Sequence, residues 1–156
     1  MGHFGFSYVG FVFLLALFIP NILWARKIPE GYTAAHEAKE LVIAEKLGQV
    51  LATTSLLVFN DINIVPERGW WNIWFIIAAL LMVLYELVWC RYFRRPSLTR
   101  FYAPLGFIPV PLASLPVCAF LLLGIYGKVI WIVLAAIILG IGHVGIHLQH
   151  VREMRP

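Results

Sequence analysis

Five long apolar runs dominate the chain, and short polar or turn-rich segments separate them. A membrane-crossing helix needs about 20 mostly apolar residues. The pattern predicts such helices over about 4–25, 41–60, 71–91, 104–125 and 129–149, all within a single domain covering 1–156. The second run is the least apolar, because Glu45, Lys46 and Gln49 precede its purely apolar part, Leu51 to Phe59. Pro29-Glu30-Gly31 reads as a turn, and Thr33 is placed to N-cap a helix starting near Ala34. Thr33 to Glu45 then reads as an amphipathic lead-in to the second run. Pro104, Pro109, Pro111 and Pro116 fall in the fourth run. Each proline removes a backbone donor and obstructs the preceding turn, so this helix is expected to be kinked or to start late, after an irregular segment. A short hairpin over Leu123 to Lys128 joins the fourth run to the fifth.

Composition supports a bilayer as the solvent. Hydrophobic residues make up 62% and charged residues 13%, with mean hydropathy +0.86. Soluble domains have roughly 45–50% apolar and about 25% charged residues. A soluble enzyme, a disordered chain and a disulfide-stapled secreted module are excluded on this ground. The net charge of +4 belongs to loops and does not point to nucleic acid. Cys90 and Cys118 lack the spacing of a redox or zinc motif.

The basic residues set an orientation. With five crossings, alternate segments hold ten Lys and Arg on one side and two on the other. Cytoplasmic loops collect the basic residues, which places the N-terminus outside and the C-terminus inside. The balance requires the second, polar run to cross as well. The first run has no basic residue before it and reads as a retained anchor. Trp70, Trp71, Tyr126 and Trp131 are assigned to the outer aromatic belt, and Trp24, Trp89, Tyr92 and Tyr102 to the inner one. Arg91, Arg94, Arg95 and Arg100 form a basic loop that orients the chain or meets lipid headgroups.

Polar residues inside the runs are the candidate chemistry. Glu45, Gln49, Thr53 and Asn60 are spaced 4, 4 and 7 apart and fall within about 80° of one another on a helix. Such a stripe lines a pathway or bonds helices together. Asn72, Ala79 and Glu86 recur every seven residues, and a carboxylate at the depth of Glu86 marks a functional site or a structural pair with Arg26 or a histidine. His143, His147 and His150, spaced 4 and 3, project within about 60°. Two histidines at i, i+4 hold a divalent metal ion when a third ligand joins them; Glu86, Glu45 or His36 are placed to supply it. The alternative is solvated interfacial histidines. Asn21, Glu45, Glu86, His143 and His147 share one depth near the inner face, which suggests an inner pocket.

The blocks Gly48 to Leu51, Phe59 to Asp61, Tyr85-Glu86 with Arg91 to Phe93, Leu123 to Lys128 and Gly140 to His147 resemble an uncharacterised group of small five-span bacterial membrane proteins. That resemblance implies an inner-membrane location and no assigned activity. The pair His143 and His147 is similar to part of the zinc site of alkaline ceramidase and adiponectin-receptor-like hydrolases, which have seven spans and further ligands. The span number is also that of the translocator-protein family, whose tryptophan and proline motifs are not found here. Three functions follow. One is a binder or transporter of an ion or small molecule through the inner pocket. Another is a metal-dependent enzyme acting on lipid from the cytoplasmic side. The last is an accessory subunit with no chemistry of its own; under all three, membrane lipids and a homo-oligomer or larger membrane complex are the expected partners.

Overall fold

The computed structural model describes residues 2–154. Arg155, counted above among the basic residues, lies outside the described residues, as does Met1. The described chain is helical. Helix α1 is Tyr8–Ala25, α2 Lys39–Val58, α3 Ile73–Arg94, α4 Leu98–Phe101, α5 Pro111–Gly127 and α6 Ile130–Glu153. Four of these, α1, α2, α3 and α6, are long and apolar enough to cross a membrane. Helix α5 has 17 residues, about 25 Å at 1.5 Å per residue, against about 30 Å of hydrocarbon. It is the most enclosed helix, packed between α3 and α6, while α2 lies along the other flank of α6. Helix α1 touches α2 and α3 more lightly. Ile43, Val50, Leu80, Val83, Leu87 and Ile141 project outward, as they would toward a surrounding apolar solvent.

The prolines decide where α5 begins. Pro104 and Pro109 sit in irregular chain before it, Pro111 occupies its first turn, and Pro116 lies inside it. The late start is the outcome here, so the helix covers less of the fourth apolar run than 104–125. Before it, Leu105 and Ile108 pair across a turn in which Gly106 has φ 57°. Gly127 ends α5, and Lys128 turns the chain in a left-handed conformation at φ 55°.

Close backbone approach holds α2 to α6. A Cβ on Gly142 would lie 2.6 Å from Glu45 Cα and 2.7 Å from Leu41 O, and would also strike Glu45 N. A Cβ on Gly48 would strike the Leu139 backbone. Small residues at such crossings let helices pack backbone to backbone. The start of α2 is fastened from α6. Its N-cap, Ala38, has no capping side chain, and Gln149 Oε1 accepts from Ala38 N at 3.1 Å while Gln149 Nε2 donates to His36 O at 2.5 Å. The expected cap at Thr33 closes only a local turn, where Thr33 Oγ1 accepts from Ala35 N at 3.2 Å. The helix starts at Lys39, so the lead-in from Thr33 is irregular chain.

The end of the bundle opposite α4 gathers residues 3–7, 58–72 and 126–129. Gly5 N donates to Val58 O at 2.9 Å. Asp61 accepts from the backbone and ring of His3. Burial pushes the Asp61 carboxyl up, and the bonds from His3 more than reverse this, leaving it below its ordinary value. Arg68 donates to Tyr126 O and Asp61 O and stacks over the Tyr126 ring.

Four aromatic assignments need correction. Trp89 is 2% exposed, Tyr92 1%, Tyr102 4% and Tyr126 0%. These four are core residues and belong to no belt, because each packs against other rings or the 61–71 segment. Trp70 and Trp131 do face outward.

Candidate functional site

Two cavities lie side by side in the bundle. The larger, about 520 Å³, is a mainly apolar cleft that opens at the bundle surface beside Phe18 and Val50; it is walled by α1, α2, α5 and α6, including Leu14, Thr53, Val117, Phe120 and Leu139. The smaller, about 240 Å³, lies toward the α4 end and is lined by Trp24, Tyr32, Glu37, Glu45, Phe101, Tyr102 and His147, among others. Asn21, Gln49 and His143 line both. These three side chains therefore form the partition between an apolar chamber and a polar one. Ligand pockets commonly range over about 300–1,000 Å³ and combine apolar walls with a few placed polar groups.

Helix phase explains who reaches the partition. Glu45, Gln49 and Thr53 are four residues apart and stack along one face of α2. Helix α6 sets His143 against them, with His143 Nδ1 2.5 Å from Glu45 Oε1. Gly142 makes this contact possible, since α6 could not approach Glu45 so closely with a side chain there. From α1, Asn21 Nδ2 donates to Tyr85 Oη at 2.7 Å and to Leu17 O at 2.7 Å. The inner grouping predicted from depth thus forms for Asn21, Glu45, His143 and His147.

Other predicted members do not join it. Asn60 lies beyond the end of α2, in a 3-10 turn, and its side chain abuts Gly5. The stripe therefore stops at Thr53, because the helix that would carry its last member ends at Val58. Glu86 lines neither cavity. Its neighbour Tyr85 is the residue that turns inward, and Glu86 is rotated by about 100° from it. Glu86 Oε1 is hidden without a hydrogen-bond partner among the described residues. Asn72 sits in a 3-10 segment, where it donates to Pro66 O, so the heptad with Glu86 is not one face.

The three histidines do not act on a common partner. His143 pairs with Glu45, while His150 Nε2 lies 3.1 Å from Glu37 Oε1. His147, 8% exposed, makes no hydrogen bond to a described residue and borders the polar chamber between Phe101, Tyr102 and His143. Among the described residues, no three His, Cys, Asp or Glu side chains are grouped to hold a metal ion. The expected triad His143, His147 and His150 is corrected accordingly: carboxylates from α2 and from the segment before it draw two of the rings apart. His36, offered as a further ligand, is exposed and contributes its carbonyl to Gln149. In the basic loop, Arg94 and Arg95 are exposed, and Arg91 turns back to donate to Ala103 O at 3.2 Å. Arg100 is half-buried.

Several site residues were missed by sequence reasoning. Tyr32 and Glu37 come from the segment before α2. Tyr32 Oη donates to Glu37 Oε1 at 3.4 Å. Burial, then the nearby Glu37 carboxylate, push the Tyr32 phenol up to about 12. Phe101 and Tyr102 arrive from α4 and are 6% and 4% exposed. Burial pushes the Tyr102 phenol up as well. Trp24 meets Tyr32 edge-on, with centroids 5.1 Å apart, and stacks on Phe101 at 5.0 Å. The available clue was aromatic residues flanking charged loops, which the belt assignment absorbed.

Among the described residues all four ion pairs join a histidine to a carboxylate. Comparison with protein families, curated proteins and solved structures gives no match. The site therefore has to be read from its own geometry.

Proposed function

We propose that this chain is a small integral membrane protein that binds or passes a small molecule or ion through the paired chambers. In this reading five helices cross the bilayer, α5 as a short crossing completed by the irregular chain before it. The basic residues place the N-terminus outside and the polar chamber toward the cytoplasmic side. The resemblance to small five-span bacterial proteins supports an inner membrane as its location.

The observation that carries this reading is the partition. Asn21, Gln49 and His143 line both chambers, so a polar threshold separates an apolar space from a space bordered by Glu37 and Glu45. An ordinary accessory bundle needs neither space, and packs its interior at crystal-like density. A metal-dependent lipid enzyme needs three convergent ligands, and the described residues offer none grouped in that way.

The test is occupancy. Wild-type protein and Thr53→Trp, which fills the apolar chamber, are purified in lipid nanodiscs, and bound small molecules are extracted and identified by mass spectrometry. A near-stoichiometric molecule present in the wild type and depleted in Thr53→Trp supports binding in the chambers. Equal content in both folded proteins refutes it.

A further inference from the structure

We infer that the preferred ligand is an organic cation with an apolar tail, its ammonium-like head in the polar chamber and its tail in the apolar one. The inference rests on the paired-chamber reading and adds the ligand's charge and shape to it.

The polar chamber has the lining that such a head requires. Two carboxylates border it, Glu37 and Glu45, and none of its lining residues is Lys or Arg. A phosphate or carboxylate head would meet Glu37 and Glu45, whose ionic partners are His150 and His143 and not Lys or Arg, and like charges in a low-dielectric space repel strongly. Trp24, Tyr32, Phe101 and Tyr102 also line the chamber. Trp24 and Tyr32 stand at 89° to each other, and Trp24 and Phe101 lie nearly parallel at 16°. Cations are attracted to the faces of Trp, Tyr and Phe, and quaternary ammonium groups are held by such rings.

His147 supplies an independent observation. It is more than nine-tenths buried, lines the chamber and has no hydrogen-bond partner among the described residues. A ligand in the chamber would provide one, and a neutral imidazole has a lone pair for an N–H or a polarised C–H of the head. The tail argument is separate. Beyond the partition, Leu14, Leu17, Phe18, Val117, Phe120 and Leu139 offer an apolar slot to whatever is covalently attached to the head.

The test uses the full chain in nanodiscs of digalactosyldiacylglycerol, whose sugar head carries neither a charge nor an ammonium group. Three probes share one tail: octyltrimethylammonium, octanoate and octanol. Binding is measured by isothermal titration calorimetry, with partition into empty nanodiscs subtracted. Octyltrimethylammonium is expected to bind at least about tenfold more tightly than either of the others. Glu37→Gln and Glu45→Gln are each expected to weaken it by about tenfold while leaving octanol unchanged. Glu37 lies outside the helices, so its variant carries this arm if Glu45→Gln fails to fold by circular dichroism. Thr53→Trp is expected to weaken the octyl cation and to leave tetramethylammonium unaffected. Octanol or octanoate binding as tightly as the cation overturns the charge assignment and leaves the chambers as a binding site. Cation binding that ignores both glutamine substitutions also overturns it, because the head then sits elsewhere. If none of the three probes binds above empty nanodiscs, the charge assignment and the binding reading fall together.

Discussion

Gly142→Ala offers the sharpest test of how α6 is held against α2. The added methyl would stand 2.6 Å from Glu45 Cα and 2.7 Å from Leu41 O. Both are backbone atoms of a helix and cannot rotate aside. Favourable carbon contacts begin near 3.5 Å, so the two helices must separate by about 1 Å. Overpacking of this kind costs about 1–3 kcal/mol, and alanine returns up to about 1 kcal/mol in helix propensity. With about 2 kcal/mol taken for the overpacking, the net loss is about 1 kcal/mol. For a chain of this size each kcal/mol moves the melting temperature by about 2–4 °C. Gly140→Ala is the matched control on the same helix. Its methyl would meet Val117 Cγ1 at 3.0 Å, a side-chain atom able to give way. It should be neutral or gain up to about 1 kcal/mol. Thermal unfolding of the three proteins in one mild detergent, followed by circular dichroism, decides the matter. Gly142→Ala melting at or above both wild type and Gly140→Ala would refute the backbone-contact argument.

Further outcomes follow from other contacts. A double-mutant cycle on Glu45→Gln and His143→Gln should give a coupling of about 0.5–3 kcal/mol, read from unfolding midpoints; additive effects would mean the pair does not interact. The Tyr32 phenol, held up to about 12 by burial and Glu37, stays protonated in the folded protein after it has ionised in the unfolded one. Its stabilising contribution is complete below pH 10 and declines as pH rises from 10 to about 12. Glu37→Gln should lower the Tyr32 transition in a difference-absorbance titration against Tyr32→Phe. Gln149→Ala removes the acceptor at Ala38 N and should cost about 1 kcal/mol, as loss of a helix cap does; hydrogen exchange should quicken at the start of α2 and remain unchanged in its middle.

What could be read from sequence followed the periodicities. Long apolar runs located the helices, and four-residue spacing put Glu45, Gln49 and Thr53 on one face. The i, i+4 relation of His143 and His147 also survives, with ring centroids 4.8 Å apart. What escaped was set by tertiary contact. Nothing local distinguishes Tyr85, which points inward, from Glu86, which does not; the rotation of α3 against α1 chooses between them. His150 was grouped with its neighbours by helical phase, yet a carboxylate 113 positions away claims it. Phe101 and Tyr102 enter the site because a four-residue helix folds back under the bundle, and a turn that short has no periodicity to read.

The walls of the polar chamber differ in what it takes to displace them. On one side, α2 and α6 meet through glycine backbones, so parting them means moving two whole helices. On the other, Phe101 and Tyr102 are carried by α4 and the irregular chain leading to Pro111, with Arg91 reaching across to Ala103 O. The glycine seam is the stiffer of the two walls, because its contacts are backbone to backbone. The other wall is held by an arginine bond and a few stacked rings, and a change there need not move the long helices.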